Sequence, residues 1–437
     1  QNGTTTTTFL IDSRGYVGIG GTTSPSEMLT IAGNIYNLTG STTPPKLIGS
    51  SATLANPTSI SVVGRLGYVS NYTAGVIQIF DLSTSSPAHI GSVTLSGAST
   101  NQVVVAGKYA YTIGGSGVNT FEIYDIANSA SSTRISSTST GGSTLPISLA
   151  VSGRYVYILN YTSGTLQIYD VSDPTAPTKI SDITLSGATP NPYHIDILGN
   201  YAYIVNEGDE TLKVVDIANP YSPREIASVA TGTDPRSVYV VGRYAYVANY
   251  TGNTLQIFDV KGAYGPSLVG SIATAVNPRS LYVVGGYAYV AAYTGDTLQV
   301  FDISNPADIR SAGQVSTGAS ANSTFVTVAG RRAYVVNNGT ANLQVFDIGG
   351  IETTSAIVHS LEAGTLQVRN DATLGGSLTV GGGLTVGPGG ILSNGSIAVT
   401  ASSTAYNFVS ASFGNKVGIG SSTPWGLFSV ESVKGIA

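Results

Sequence analysis

Seven aspartates recur along the middle of the chain: Asp81, Asp125, Asp170, Asp216, Asp259, Asp302 and Asp347. Carboxylates repeated in this way could converge as oxygen ligands for a hard cation. A second reading follows from their surroundings. Each closes an alternating apolar run and precedes a turn, where a short carboxylate accepts backbone N–H groups, and this is the reading we adopt. The acidic stretch "NEGDET" (206–211) has the composition of a cation-binding loop and equally of a solvated one. The three histidines, His89, His194 and His359, lie far apart with no partner at metal-ligand spacing. Cysteine is absent, so disulfides and thiolate metal sites are excluded. No nucleophile elbow, phosphate loop or paired-carboxylate motif occurs. The expectation is a protein that is not an enzyme, with no catalytic residue, no cofactor and no metal.

The elements that carry these residues repeat. A glycine opens each unit at Gly64, Gly107, Gly153, Gly199, Gly242, Gly285 and Gly330, in steps of 43, 46, 46, 43, 43 and 45 residues. A tyrosine follows four residues after each: Tyr68, Tyr111, Tyr157, Tyr203, Tyr246, Tyr289 and Tyr334. Stretches such as "SVYVVG", "YAYVAN" and "LQIFD" alternate with period two, the mark of strands, with turn residues between them. Four short strands in about 43 residues is the proportion of a propeller blade. The repeated tyrosines then read as packing between blades. "LQIFDV", "LQIYDV" and "LQVFDI" resemble the LVIVD-type repeats of bacterial and archaeal surface proteins, over roughly residues 57–349. That resemblance implies a seven-bladed β-propeller used for recognition or structure.

Outer-strand candidates number eight for seven blades, from Lys46–Ser50 to Ala356–Ser360. "PPKLIGSSATLANPTSISVVG" aligns with "GPSLVGSIATAVNPRSLYVVG", so Lys46–Ser50 is expected to complete the last blade and close the ring. From Ala372 to Asn415 there is no charged residue, and Val368, Leu374, Val380, Val386 and Leu392 are spaced by six. This hexad period predicts a Gly-rich β stalk, similar to stalks of phage tail fibres and large surface proteins.

The two ends echo each other. Val17-Gly18-Ile19-Gly20 and Pro25 match Val417-Gly418-Ile419-Gly420 and Pro424. Leu29 and Ile31 correspond to Phe428 and Val430, and Trp425 follows the second proline. The "VGIG-x-x-x-P" phrase resembles a module of phage fibres and bacterial surface proteins. The predicted organisation is all-β: an N-terminal β module (1–43), a seven-bladed β-propeller (44–355), the stalk (356–403) and a C-terminal β module (404–437).

Charged residues are only 10% of the chain against 42% hydrophobic, and the net charge is -5. Without a basic patch, nucleic acid is not an expected partner, and no stretch is long enough for an apolar membrane span. No leader-like segment stands before Gln1, so a secreted product would be the processed form. These features lead to the expectation of an extracellular, cell-surface filament subunit polymerising head to tail with itself. The contact is assigned to Val17, Gly18, Ile19, Gly20, Pro25, Leu29, Ile31, Val417, Gly418, Ile419, Gly420, Pro424, Trp425 and Phe428. The alternative is an adhesin or phage tail-fibre-like protein whose propeller binds a surface glycan or host protein. Among Asn-x-Ser/Thr sequons, Asn71, Asn160 and Asn249 are candidate glycosylation sites.

Overall fold

The computed structural model describes residues 45–349 apart from 98, 115–118, 129–131, 143 and 264, together with short strands near both ends. Within 45–349 lie seven four-stranded antiparallel sheets, each a blade. Blade one runs through Pro57–Val63, Leu66–Asn71, Val76–Asp81 and Ala88–Thr94. Blades two to six repeat this order, their first strands being Gln102–Ala106, Pro146–Ser152, Pro192–Leu198, Pro235–Val241 and Pro278–Val284. Blade seven takes Ser323–Ala329, Arg332–Asn337 and Asn342–Asp347 from one end of the ring and Lys46–Ala52 from the other. The expected closing strand is therefore present, antiparallel to Asn342–Asp347, with Asp347 opposite Lys46. The competing segment 356–360 and the stalk lie outside the described residues.

The first two strands of a blade meet at glycines such as Gly64 and Gly107, with φ of 58° and 61°. Only a residue without Cβ adopts that left-handed turn at no cost. The repeated tyrosines are buried, and each packs into the blade that follows: Tyr68 against Val103 and Ala110, Tyr246 against Leu281 and Ala288, Tyr334 against Ile60 across the closure. Desolvation at these seams pushes the Tyr157, Tyr203, Tyr246 and Tyr289 hydroxyls up to about 12.

The chain divides into two units, Gln1–Pro388 and Gly389–Ala437. In the first, Val17–Ile19 is the middle strand of three, antiparallel to Phe9–Ile11 and parallel to Leu29–Ile31. In the second, Val417–Ile419 pairs in parallel with Phe428–Val430. The two registers correspond, Val17 opposite Leu29 and Val417 opposite Phe428. Both edges of Val17–Ile19 are thus taken by strands of its own chain. Gly20, Pro25, Gly420, Pro424 and Trp425 lie outside the described residues.

Candidate binding site at the channel mouth

The first strand of every blade lines a central channel. In six blades its register shifts just after the opening residue, for example between Pro57 and Ser59 and between Pro235 and Ser237. Such a bulge adds a residue and re-aims it. The added residues are Thr58, Ile147, Tyr193, Arg236, Arg279 and Thr324, and all six border a cavity of about 70 Å³ at the channel mouth.

One step further in, the blades are stitched together. Ser59 Oγ accepts from Val103 N–H at 3.1 Å, Gln102 Oε1 from Leu149 N–H at 2.7 Å, and Ser148 Oγ from Ile195 N–H at 3.4 Å. Ser237 and Ser280 accept from Leu281 and Val326 in the same way, both at 3.2 Å. His194 fills this position in blade four, its Nδ1 3.1 Å from the Val238 carbonyl oxygen. The seventh position is Phe325, and the junction there is made instead by Thr324 Oγ1 donating to Pro57 O at 3.1 Å. Each side chain satisfies the exposed backbone edge of the next blade, which would otherwise be open to pairing with another strand.

At the mouth, aromatic and cationic groups alternate across blades three to six. Arg236 lies between the rings of Tyr193 (4.7 Å) and Tyr250 (4.5 Å) and pairs with Asp234 (2.7 Å) and Glu207 (3.3 Å). Arg279 lies over Tyr293 at 5.1 Å and donates to the Tyr193 hydroxyl at 3.4 Å. Tyr161 meets Tyr193 edge-on at 6.4 Å. Burial raises the Glu207 carboxyl above its ordinary range, with Arg236 opposing.

A second cavity of about 370 Å³ continues along the channel, bordered by His194, Asp196, Tyr239 and Tyr282. Burial lowers His194 to about 4 and raises Asp196 to about 6, although Asp196 accepts from Val240 N–H at 2.6 Å. The two act oppositely on stability. As pH falls from about 6.5 to 4, unfolded chains protonate at the histidine first, which destabilises the fold. As pH falls from about 6 to 3.8, the folded Asp196 protonates first, which stabilises it. On going from pH 7.5 to pH 4.5, His194→Ser should therefore gain stability relative to the parent, and Asp196→Asn should lose stability relative to it. The cavity has room for water, which softens burial, so each change is about 1–2 kcal/mol. Thermal unfolding at pH 4.5 and 7.5 measures both, and equal pH profiles for parent and variants would refute the assignment.

The aspartate repeat takes its turn role in all seven blades. Asp81, Asp125, Asp170, Asp216 and Asp259 accept from the N–H two residues on at 2.9 Å, as do Asp302 at 3.0 Å and Asp347 at 2.9 Å. In "NEGDET", Glu207 faces Arg236 and Asp209 faces Lys213 at 3.8 Å. Among the described residues no His/Cys/Asp/Glu group is arranged to hold a metal. His89 sits on an outer strand, its Nε2 2.9 Å from Ser92 Oγ, and His359 lies outside the described residues.

The sequon reading requires correction. Asn71, Asn160 and Asn249 are each fully buried at the end of a second strand. Their side-chain amides donate inward, Asn71 to Val69 O (3.0 Å), Asn160 to Thr165 Oγ1 (3.2 Å) and Asn249 to Thr254 Oγ1 (2.9 Å). A glycan on Nδ2 has no space in the folded blade. Sequence reasoning missed Tyr193, Arg236 and Arg279. Their signal lies in the variable residue after proline within a constant frame: "PTS" at 57, "PIS" at 146, "PYH" at 192, "PRS" at 235 and 278.

An LVIVD repeat model matches residues 97–140, 146–184, 193–231, 232–274 and 277–317. No curated protein matches the chain. Similar solved structures include a functionally unknown protein from Desulfotomaculum acetoxidans, 17% identical over 61% of this chain and 87% of that one, TM-score 0.52. A protein from Lactobacillus plantarum is 17% identical over 62% and 87%, TM-score 0.56. The WD40 β-propeller domain of Doa1 is 9% identical over 70% and 97%, TM-score 0.57. At such identities the likeness concerns the fold alone. The chain is a seven-bladed β-propeller carrying LVIVD repeats, and the matched repeats are its second to sixth blades.

Proposed function

We propose that the protein is a structural subunit of an extracellular filament, polymerising head to tail through its two ends while the closed propeller is displayed outward. The observation that carries this reading is the repeated strand pair: Val-Gly-Ile at residues 17–19 and 417–419, each with a parallel partner in the same register. Phe9–Ile11 lies on the free side of the first Val-Gly-Ile. Among the described residues no strand pairs with the second edge of 417–419, so the Phe9–Ile11 strand of one subunit can be exchanged onto the end of the next. A contact of this type joins unlike surfaces and does not close on itself, so it generates an open filament. Exchange between equal edges gains little by itself, and about three backbone bonds supply only ~3 kcal/mol. Association costs about 4–15 kcal/mol, so the flanking terminal residues must enlarge the interface.

Electron microscopy of the full chain and of a variant lacking residues 1–32 tests this. We expect filaments from the full chain alone, with equal far-ultraviolet circular dichroism from both because the closing strand at 46–52 is retained. Filaments from the truncated chain would refute terminal exchange. A second reading, glycan recognition by the propeller, is favoured by the tyrosines and arginines that converge at the channel mouth.

A further inference from the structure

Arg236 and Arg279 occupy equivalent bulge positions in neighbouring blades, yet their surroundings differ. Arg236 is neutralised by two carboxylates. Arg279 contacts Tyr293 and donates to the Tyr193 hydroxyl, which it shares with Arg236, and among the described residues no carboxylate stands within ion-pair distance of it. Beneath it, the buried Ser237 and Ser280 each accept a backbone N–H through Oγ, which leaves their own hydroxyl protons to be given. Gln102 is also buried, with its carbonyl oxygen committed to Leu149 and its amide group without a protein partner among the described residues. A cation and three neutral donors therefore border one cavity of about 70 Å³. That is room for several waters, and so for a carboxylate or sulfate group.

We infer that this cavity holds the anionic group of an acidic sugar, whose ring rests among the tyrosines of the rim. The inference rests on the glycan-recognition reading and names its ligand class. Charge-assisted bonds from Arg279 supply the main attraction for the anion, with Ser237, Ser280 and Gln102 completing its shell. Tyr161 and Tyr293 offer flat bodies with polar tips, which suit a polyol better than an apolar ligand.

Calorimetric titration of the full chain with glucuronate, galacturonate, galactose 6-sulfate, the neutral hexoses and acetate tests the inference. An oligogalacturonate arm separates a free sugar from a polysaccharide unit. At least one acidic sugar should bind about tenfold or more tighter than its neutral counterpart and than acetate. Arg279→Gln should abolish that preference and Arg279→Lys restore part of it, with thermal unfolding unchanged in both. Equal binding of neutral and acidic sugars would overturn the inference while leaving glycan recognition standing. Acetate binding as tightly as any sugar, or an unaltered Arg279→Gln, would overturn it as well. Absence of binding by every sugar would remove both the inference and the reading beneath it.

Discussion

Deleting residues 46–52 should unfold the propeller at a markedly lower denaturant concentration and turn the remaining protein toward self-association. This strand forms six residue pairs with Asn342–Asp347, from Ala52 opposite Asn342 to Lys46 opposite Asp347. At ~1 kcal/mol for each backbone bond, about six bonds amount to ~6 kcal/mol, against a total domain stability of about 5–15 kcal/mol. More than ladder bonds would be lost. Thr53 N–H donates to Ala341 O at 2.9 Å, and Ser51 Oγ donates to Pro87 O across to blade one. Leu54 N–H donates to Gln78 Oε1 at 2.7 Å. The deletion therefore opens the seam between blades seven and one and leaves Asn342–Asp347 as an exposed edge, ready to pair with another molecule.

A milder variant separates closure from chain length. A Cβ at Gly49 would stand 1.8 Å from the Ser85 carbonyl oxygen, so Gly49→Val forces the strand away from blade one without shortening the chain. Urea unfolding and light scattering read both variants, and a midpoint unchanged on deletion would mean that the ring does not depend on this strand. An added 46–52 peptide should restore part of the lost stability.

The closing strand was legible because the chain supplies one outer-strand phrase too many before the first blade. The aspartates were legible for a related reason: a turn carboxylate needs only neighbours two residues away, all within one repeat. Tyr68 and its counterparts alternate in register with the strands, so their inward direction follows from period two. The channel mouth was not legible in the same way. Tyr193, Arg236, Tyr250, Arg279 and Tyr293 come from blades four to six, and only the bulges and the curvature of the ring bring them together. Asn71, Asn160 and Asn249 show the opposite failure, a surface motif in letters whose first residue is a buried strand end. Parallel pairing at Val17–Ile19 was equally hidden, since an apolar triplet looks the same whichever way its partner runs.

The charge exceptions inside the blades lead to the second large effect. In five blades the glutamine of the third strand reaches the link entering that blade, buried in four of them and partly buried at Gln256. Gln256 Oε1 accepts from Gly232 N–H at 2.8 Å, and Gln299 Oε1 from Ala275 N–H at 2.7 Å. Blade four has Lys213 at this position, its side chain only 2% exposed, and an ammonium cannot accept that N–H. Glu225 takes over: its carboxylate accepts from Ser186 N–H at 2.8 Å, and its Oε1 stands 3.4 Å from Lys213 Nζ. Glu225→Ala thus removes the anchor of the link and strips a buried cation of its nearer counter-charge, leaving Asp209 at 3.8 Å. Breaking a buried pair in this way costs about 3–5 kcal/mol. Adding Lys213→Gln to Glu225→Ala removes the stranded charge and supplies the amide found at this position in five other blades. The double variant should be more stable than Glu225→Ala by about 2 kcal/mol, a coupling that independent sites would not show. Urea unfolding of the parent, both single variants and the double variant completes the cycle. If the double variant is no more stable than Glu225→Ala, Lys213 and Glu225 are not the charged replacement for the buried glutamine.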